Sequence, residues 1–563
     1  MKEEIIADLH THSTLKPTFN TALTNIWENH ENPHPKNFLY FFNILRQTLF
    51  KDFYRTLATY SQSNLERCAD GNVRLLVFSV YPIERQYINR KSFGSYLLYV
   101  LIKLPKGFPI KAVLKKKKVL VSGLIKTFIG LSDEKINSIW KEQSSRSNYV
   151  NYYSDYKKEL EYLIKPKHTS PVNEEYSNNS FKLVKNYKEY LQNKADNKSI
   201  SGILSVEGIH SFGEYKLRHL FRRKHLGKLR RRERNRLKDK MIANLLEVKN
   251  SEYPPFFITM AHHYNNLIVG HSKTFSFPMN LFFIQKKGRN RGLTQFGNEI
   301  ISKYLLNKEN GKRILIDIKH LSIKARKSFF ELIDTYNLKN NENIPIISSH
   351  AAVSGIRKMS DYRGLMINKA LDKNSFVSLW DVNHTNEEIV KIYRSDGIIG
   401  LLMHDGRMPG KIFKKIFKAT KKIEFKEERI KVQNLLHKQL FLTNVYHIVQ
   451  VIYEELGENG WKIISLGTDN DGIVDPFDNY NKADLLPKFK KDLIGFLNDY
   501  GFSLDPKYYI LDLYGENKYL SPEKVLELNQ NQSIEKLIHG LFYKNLEFFL
   551  SKYFTDEYLG KPI

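Results

Sequence analysis

The sequence predicts a (β/α)8 barrel. Three observations carry that reading. Eight short apolar runs are spread along the chain, helical patterns separate several of them, and six of the eight runs end in a candidate ligand or acid–base residue. Short apolar runs of about 4–8 residues fit strands buried on both faces, as in a parallel sheet. Their alternation with helices implies βα units. Eight such units close into a barrel, which carries its functional residues at the C-terminal strand ends. An open doubly wound sheet and two smaller α/β domains are the competing arrangements.

The runs in order are 4–8 (EIIAD), 73–80 (VRLLVFSV), 202–206 (GILSV), 256–260 (FFITM), 313–318 (RILIDI), 344–348 (IPIIS), 397–403 (GIIGLLM) and 462–467 (KIISLG). Helical patterns cover 239–248, 296–306, 323–335, 386–394 and 431–456. A barrel needs about 250 residues, and this chain has 563. The excess falls between the runs, at 19–66, 85–199, 211–238 and 408–428. We read these stretches as loop insertions into one barrel domain spanning 1–563, since long surface loops cost little closure entropy.

Composition narrows the chemistry. Apolar residues make up 41% of the chain, enough for a packed core despite a net charge of +29. A single cysteine, Cys68, excludes a disulfide framework and a cysteine-based zinc site. Any metal must therefore be held by carboxylates and by some of the 18 histidines. No apolar run reaches the length of a membrane span, and the charged N-terminus does not read as a signal peptide. A cytoplasmic location is the expectation. Much of the positive charge is a Lys-rich surface. It is densest between Lys216 and Lys240 (KLRHLFRRKHLGKLRRRERNRLKDK), with a second run at 115–118 (KKKK). The arm from Lys216 to Lys240 suits an anionic partner such as RNA or a membrane surface, or none at all.

The residues at the strand ends form a metal-binding set. On a strand, positions i and i+2 point the same way, so His10 and His12 can reach one ion together. Glu207 ends the third run and can bridge two ions. His320 and His350 follow the fifth and sixth runs. Five such donors suit zinc or another divalent first-row ion, and they are too many for one tetrahedral catalytic site. Asp469, directly after the eighth run, can move a proton between water and a leaving group, with Asp471 in reserve. After the fourth run, His262 or His263 can polarise a substrate carbonyl.

These motifs, in this order, resemble the renal (membrane) dipeptidase family, the M19 metallopeptidases. The resemblance also includes Phe78-Ser79-Val80-Tyr81, Glu207-Gly208-Ile209-His210-Ser211, the stretch from Gly292 to Gly297, and Asp317-Ile318-Lys319-His320-Leu321-Ser322 against the family's Asp-Leu-Ser-His-Val-Ser. Ser349-His350 and the stretch from Gly467 to Gly472 complete it. It implies a zinc-dependent dipeptidase that cleaves small amides through a hydroxide held between two divalent ions, most simply Zn2+. Glu207 would bridge the ions, His10 and His12 would hold one, and His320 and His350 the other. Asp469 would be the acid–base group, and His262 would bind the substrate carbonyl. Arg357 would grip the substrate carboxylate, with Arg363 in reserve.

Two departures stand out. The family has Asp where this chain has His12, which makes the site about one charge more positive and is expected to alter metal preference or the acidity of bound water. The insertions are the second departure, expected to modify access to the mouth. The expected partners are a small peptide and an anionic species at the arm, with homodimer formation left open. Two further readings remain open. One is another dinuclear amidohydrolase or a phosphoesterase. The other is a catalytically altered barrel that binds nucleic acid or an anionic surface through its arm.

Overall fold

The computed structural model describes residues 4–19, 23–29, 61–88, 131–144, 149–222, 225–275, 280, 283–362, 374–499, 510–512 and 518–562. The run 115–118 and Arg363 lie outside them, as does most of the stretch 19–66.

Each of the eight apolar runs carries a strand. They are β1 (Ile6–Thr11), β2 (Val73–Val80), β3 (Ser199–Glu207), β4 (Phe257–Thr259), β5 (Leu315–Asp317), β6 (Ile347–Ala351), β7 (Ile398–Leu401) and β8 (Ile464–Leu466). They pair in parallel in chain order. Closure comes at the upper ends of β8 and β1. There the Asp469 N–H donates to the His10 carbonyl (3.0 Å) and the His12 N–H to the Asn470 carbonyl (2.8 Å). The fold is the (β/α)8 barrel expected from the sequence.

The apolar runs form strands because both of their faces are covered. All nine residues of β3 and all six of β1 are buried. Neither strand therefore needs the alternating pattern of a half-exposed sheet. Helices Arg231–Lys249, Ile323–Asn340, Asn386–Arg394 and Lys426–Leu456 occupy the expected positions between strands. Helix Asn386–Arg394 starts on a capping box in which Thr385 and Glu388 satisfy each other's backbone N–H. The stretch 296–306 is helical in two parts. An α-helical turn at Gln295–Glu299 passes into a π-helical turn at Ile300–Leu305.

Parts of the stretches 85–199 and 211–238 pack on the barrel itself. Strand Ser180–Leu183 pairs in parallel with the lower half of β3, on the side that β4 takes higher up. Helix Tyr152–Ile164 follows a short antiparallel pairing of Tyr149–Asn151 with Glu214–Lys216 and buries Tyr152, Tyr153, Tyr156, Glu159 and Leu163. Among the described residues, no helix is long and apolar enough to cross a membrane.

Candidate metal centre

Six side chains from five strand ends meet at the C-terminal mouth, all fully or almost fully buried. His10 and His12 leave β1 with their Nε2 atoms 3.1 Å apart. His320 and His350, after β5 and on β6, likewise bring their Nε2 atoms to 3.1 Å. The Glu207 carboxylate at the end of β3 lies between the two pairs. Its Oε2 is 3.1 Å from His12 Nε2, and its Oε1 is 3.2 Å from His320 Nε2. Asp469 spans them from above, with Oδ1 3.4 Å from His12 Nε2 and Oδ2 3.7 Å from His350 Nε2. Two three-donor groups thus share Glu207: His10, His12, Glu207 and Glu207, His320, His350.

The backbone bends hard to achieve this. His320 and Asp469 adopt left-handed φ values of 64° and 59°, a region that side chains other than glycine rarely occupy. Such a bend just past a strand turns the side chain back over the mouth. Gly472 keeps the space beside them open, since a Cβ there would stand 2.1 Å from Asp469 Oδ1 and 2.5 Å from His12 Cδ2.

The donor chemistry fits a divalent cation. Glu207 Oε1 and Asp469 Oδ1 are buried with no hydrogen-bond partner, an expensive state for carboxylate oxygens unless a cation meets them. Burial drives His10, His320 and His350 well below the ordinary imidazole range, reinforced by neighbouring positive groups. They are therefore neutral, as ligation requires. His12 behaves differently. Burial works to lower it, but the adjacent Asp469 and Glu207 carboxylates raise it to about 10. A cation that takes those carboxylates displaces the proton.

Further groups hold the donors in place. His350 Nδ1 lies 2.9 Å from Ser349 Oγ, which donates to Asp317 Oδ2 (2.6 Å). This relay leaves the His350 Nε2 lone pair facing the centre. Asp8 ties β1 to β8 rather than acting on the centre directly. It accepts from the His10 N–H (3.1 Å), the Thr468 N–H (3.0 Å) and the Thr468 hydroxyl, and burial raises it to about 6. Asp471 is likewise occupied, accepting from Lys16, the Gln62 and Ser63 N–H groups and the Ser63 hydroxyl.

His262 Nε2 lies 3.2 Å from Glu207 Oε2, while its Nδ1 lies 3.0 Å from Glu84 Oε2. Burial pushes this imidazole down to about 3. Glu84 also accepts from the Tyr264 N–H (2.9 Å), the His263 N–H (3.3 Å) and the Tyr81 hydroxyl (3.1 Å). It orients the whole turn after β4. His263 turns its Nδ1 to Thr274 Oγ1 (2.7 Å) and can form a third donor group with His262 and His320.

Arg357 is exposed in the turn after β6, where its carbonyl accepts from the Glu387 N–H (3.0 Å). Among the described residues, the arginine that reaches the cluster is Arg407, past the end of β7. It is buried, with Nη1 3.5 Å from Asp469 Oδ2. Sequence reasoning passed over Arg407, Glu84 and Lys319. All three follow strand ends, Arg407 past β7, Glu84 past β2 and Lys319 past β5, so the same strand-end pattern marks each of them.

No protein-family profile matches the chain, and no curated protein matches it. Among solved structures it is similar to a metallopeptidase from Rhodobacter sphaeroides liganded with a phosphinate mimic of the dipeptide L-Ala-D-Ala, at 13% identity and TM-score 0.44, over 98% of this chain and 100% of that one. A dipeptidase of metallopeptidase family M19 is similar at 13% identity and TM-score 0.44, over 98% of this chain and 99% of that one. The probable dipeptidase PvdM from Pseudomonas aeruginosa follows at 11% identity and TM-score 0.44, over 98% and 95%.

Proposed function

We propose that this protein is a metal-dependent hydrolase that cleaves the amide bond of a dipeptide or a related small amide at a centre of two divalent ions, zinc being the best match to the donors. The observation that carries this reading is the Glu207 carboxylate, which sets one oxygen 3.1–3.2 Å from each of two histidine pairs. His10, His12 and Glu207 would hold one ion, and Glu207, His320 and His350 the other. Ions bound there supply an acidified water and polarise the scissile carbonyl.

The chain's own groups do the rest. Asp469 stands over both histidine pairs, placed to take a proton from the attacking water and pass it to the leaving amine. His262, aimed by Glu84, faces the place where a substrate carbonyl would lie. Burial of these side chains strengthens each of these contacts. The inserted stretches read as additions to one barrel domain. The arm reads as a surface for an anionic partner, supported by the exposed Arg230, Arg231, Arg232 and Arg236.

The test is metal content together with a substrate panel. Purified protein is expected to hold two equivalents per chain and to hydrolyse dipeptides over phosphoesters. A metal-loaded protein that cleaves phosphoesters but no dipeptide refutes the substrate assignment.

A further inference from the structure

We infer that helix Lys411–Thr420 and the turn after it dock the protein on an anionic membrane surface, with the mouth side of the barrel beside the lipid. This contact goes beyond the hydrolase reading and does not depend on it.

The stretch 411–422 (KIFKKIFKATKK) holds six lysines and no acidic residue. Lys411, Lys414, Lys415 and Lys418 stand at i, i+3, i+4 and i+7, so they share one face of the helix. All four are exposed, as are Lys421 and Lys422 just past its end. The opposite face serves the fold. Phe413 is buried, with its ring 5.5 Å from Phe376, and the Phe417 ring lies 4.9 Å from His437 on helix Lys426–Leu456. The start of the helix is also tied down. The Gly410 N–H donates to the Phe376 carbonyl (2.6 Å) and the Ile412 N–H to the Ser375 carbonyl (3.1 Å). The basic face is therefore formed before any partner arrives, which removes an ordering cost from binding.

Two large apolar side chains stand out beside these lysines. Ile416, at the edge of the basic face, is 43% exposed, and Phe425, in the turn after the helix, is 74% exposed. Lysines flanked by exposed apolar side chains are what an interfacial helix presents. The ammonium groups meet anionic headgroups while the apolar groups enter the acyl boundary. The cations of 411–422 are all lysines. Such point charges suit a fluid plane of headgroups, whereas recognition of a fixed phosphate favours the planar fork of arginine. Glu427 and Glu428 follow in the first turn of helix Lys426–Leu456, where they complement its N-terminus.

Chain order places this surface. The helix lies between the end of β7 and helix Lys426–Leu456, which leads to β8, so it belongs to the C-terminal side of the barrel. It starts just past Arg407, whose Nη1 is 3.5 Å from Asp469 Oδ2. Among the described residues no helix crosses a membrane, so the contact is peripheral.

The test is co-sedimentation of the full chain with vesicles of phosphatidylcholine alone or with about 30% phosphatidylglycerol. We expect binding to the anionic vesicles only, falling steeply between about 50 and 500 mM salt. Combined Lys415→Gln, Lys418→Gln and Lys422→Gln is expected to weaken it at least about tenfold, and Phe425→Ser about fivefold. Leu338→Ser, at a residue 87% exposed elsewhere, is expected to change nothing. Melting curves establish that each variant is folded; if the lysine variant is not, Phe425→Ser carries the comparison. Absence of binding to anionic vesicles overturns the inference. So does binding that survives both the lysine and the Phe425 substitutions, which assigns it to the arm from Lys216 to Lys240. Binding of an RNA oligonucleotide in place of vesicles, lost in the lysine variant, also overturns it and makes the partner a nucleic acid. Hydrolysis of soluble dipeptides is expected to be the same in all these variants, so loss of the hydrolase reading and loss of the docking surface are read separately.

Discussion

The two halves of the centre are held in different ways. The His320/His350 half is supported by the barrel's own strands. Asp317 on β5 reaches across to Ser349 on β6, and Ser349 orients His350. The His10/His12 half is propped from the stretches 19–66 and 85–199, between strands. Ser63 meets Thr11 Oγ1 (2.6 Å) and accepts from the Ser13 hydroxyl at its carbonyl (2.7 Å). Glu159, on helix Tyr152–Ile164, accepts from the Thr14 hydroxyl (2.7 Å) and from the Tyr81 N–H (2.9 Å). These stretches between the strands are therefore part of the site's framework. One half depends on contacts between neighbouring strands, and the other on segments that lie between strands.

The strongest way to break the comparison is to remove the group the halves share. Glu207→Ala is expected to drop metal content from two equivalents toward one or zero, read by elemental analysis. Retention of both ions would show that each half holds its ion without the other. Next comes Asp469→Asn, which is expected to keep its metal and lose about 10²–10⁴ in kcat through the missing proton transfer. A variant that binds metal yet hydrolyses dipeptides at the original rate removes Asp469 from its role. Ser349→Ala tests the barrel-supported half alone. One equivalent is expected to bind about 10–100-fold more weakly, with the other unchanged, in a competition titration.

The smallest effect sharpens the insertion-supported half. Burial raises Glu159 to about 7 from an ordinary value of 4.5. The folded protein then keeps a proton that the unfolded chain releases from about pH 4.5 upward. This contribution to stability is present below pH 4.5 and is lost as pH rises to about 7, on the order of 3 kcal/mol. Glu159→Gln keeps a neutral side chain at every pH. Its melting temperature is expected to rise relative to the unaltered protein between pH 5 and 8. Parallel curves for the two proteins would place a charged Glu159 in the fold throughout.

Much of the donor set is legible in the sequence because strand ends are local features. An apolar run followed by His, Asp or Glu marks the mouth of a barrel without knowledge of any neighbour, and Glu207, His320, His350 and Asp469 all follow from it. The spacing of His10 and His12 is read the same way, from the two-residue period of a strand. The role of Glu84 is not legible, because it depends on His262, 178 positions away in sequence. Asp469 and Asp471 look alike in sequence, and contact with Lys16, Gln62 and Ser63 separates them. Arg357 is the nearest arginine after the sixth run, yet the chain leaves it at the surface while Arg407 enters from another strand.

By itself, then, the sequence determined the barrel, the order of its strands and which residues stand at its mouth. These follow from hydrophobic period and chain direction, which neighbouring residues set together. Only the tertiary structure decided which carboxylates were already engaged, that Lys319 is buried without a hydrogen-bond partner and which stretches between strands held up the site. Those depend on burial and on pairings between residues far apart in the chain, which no local pattern records.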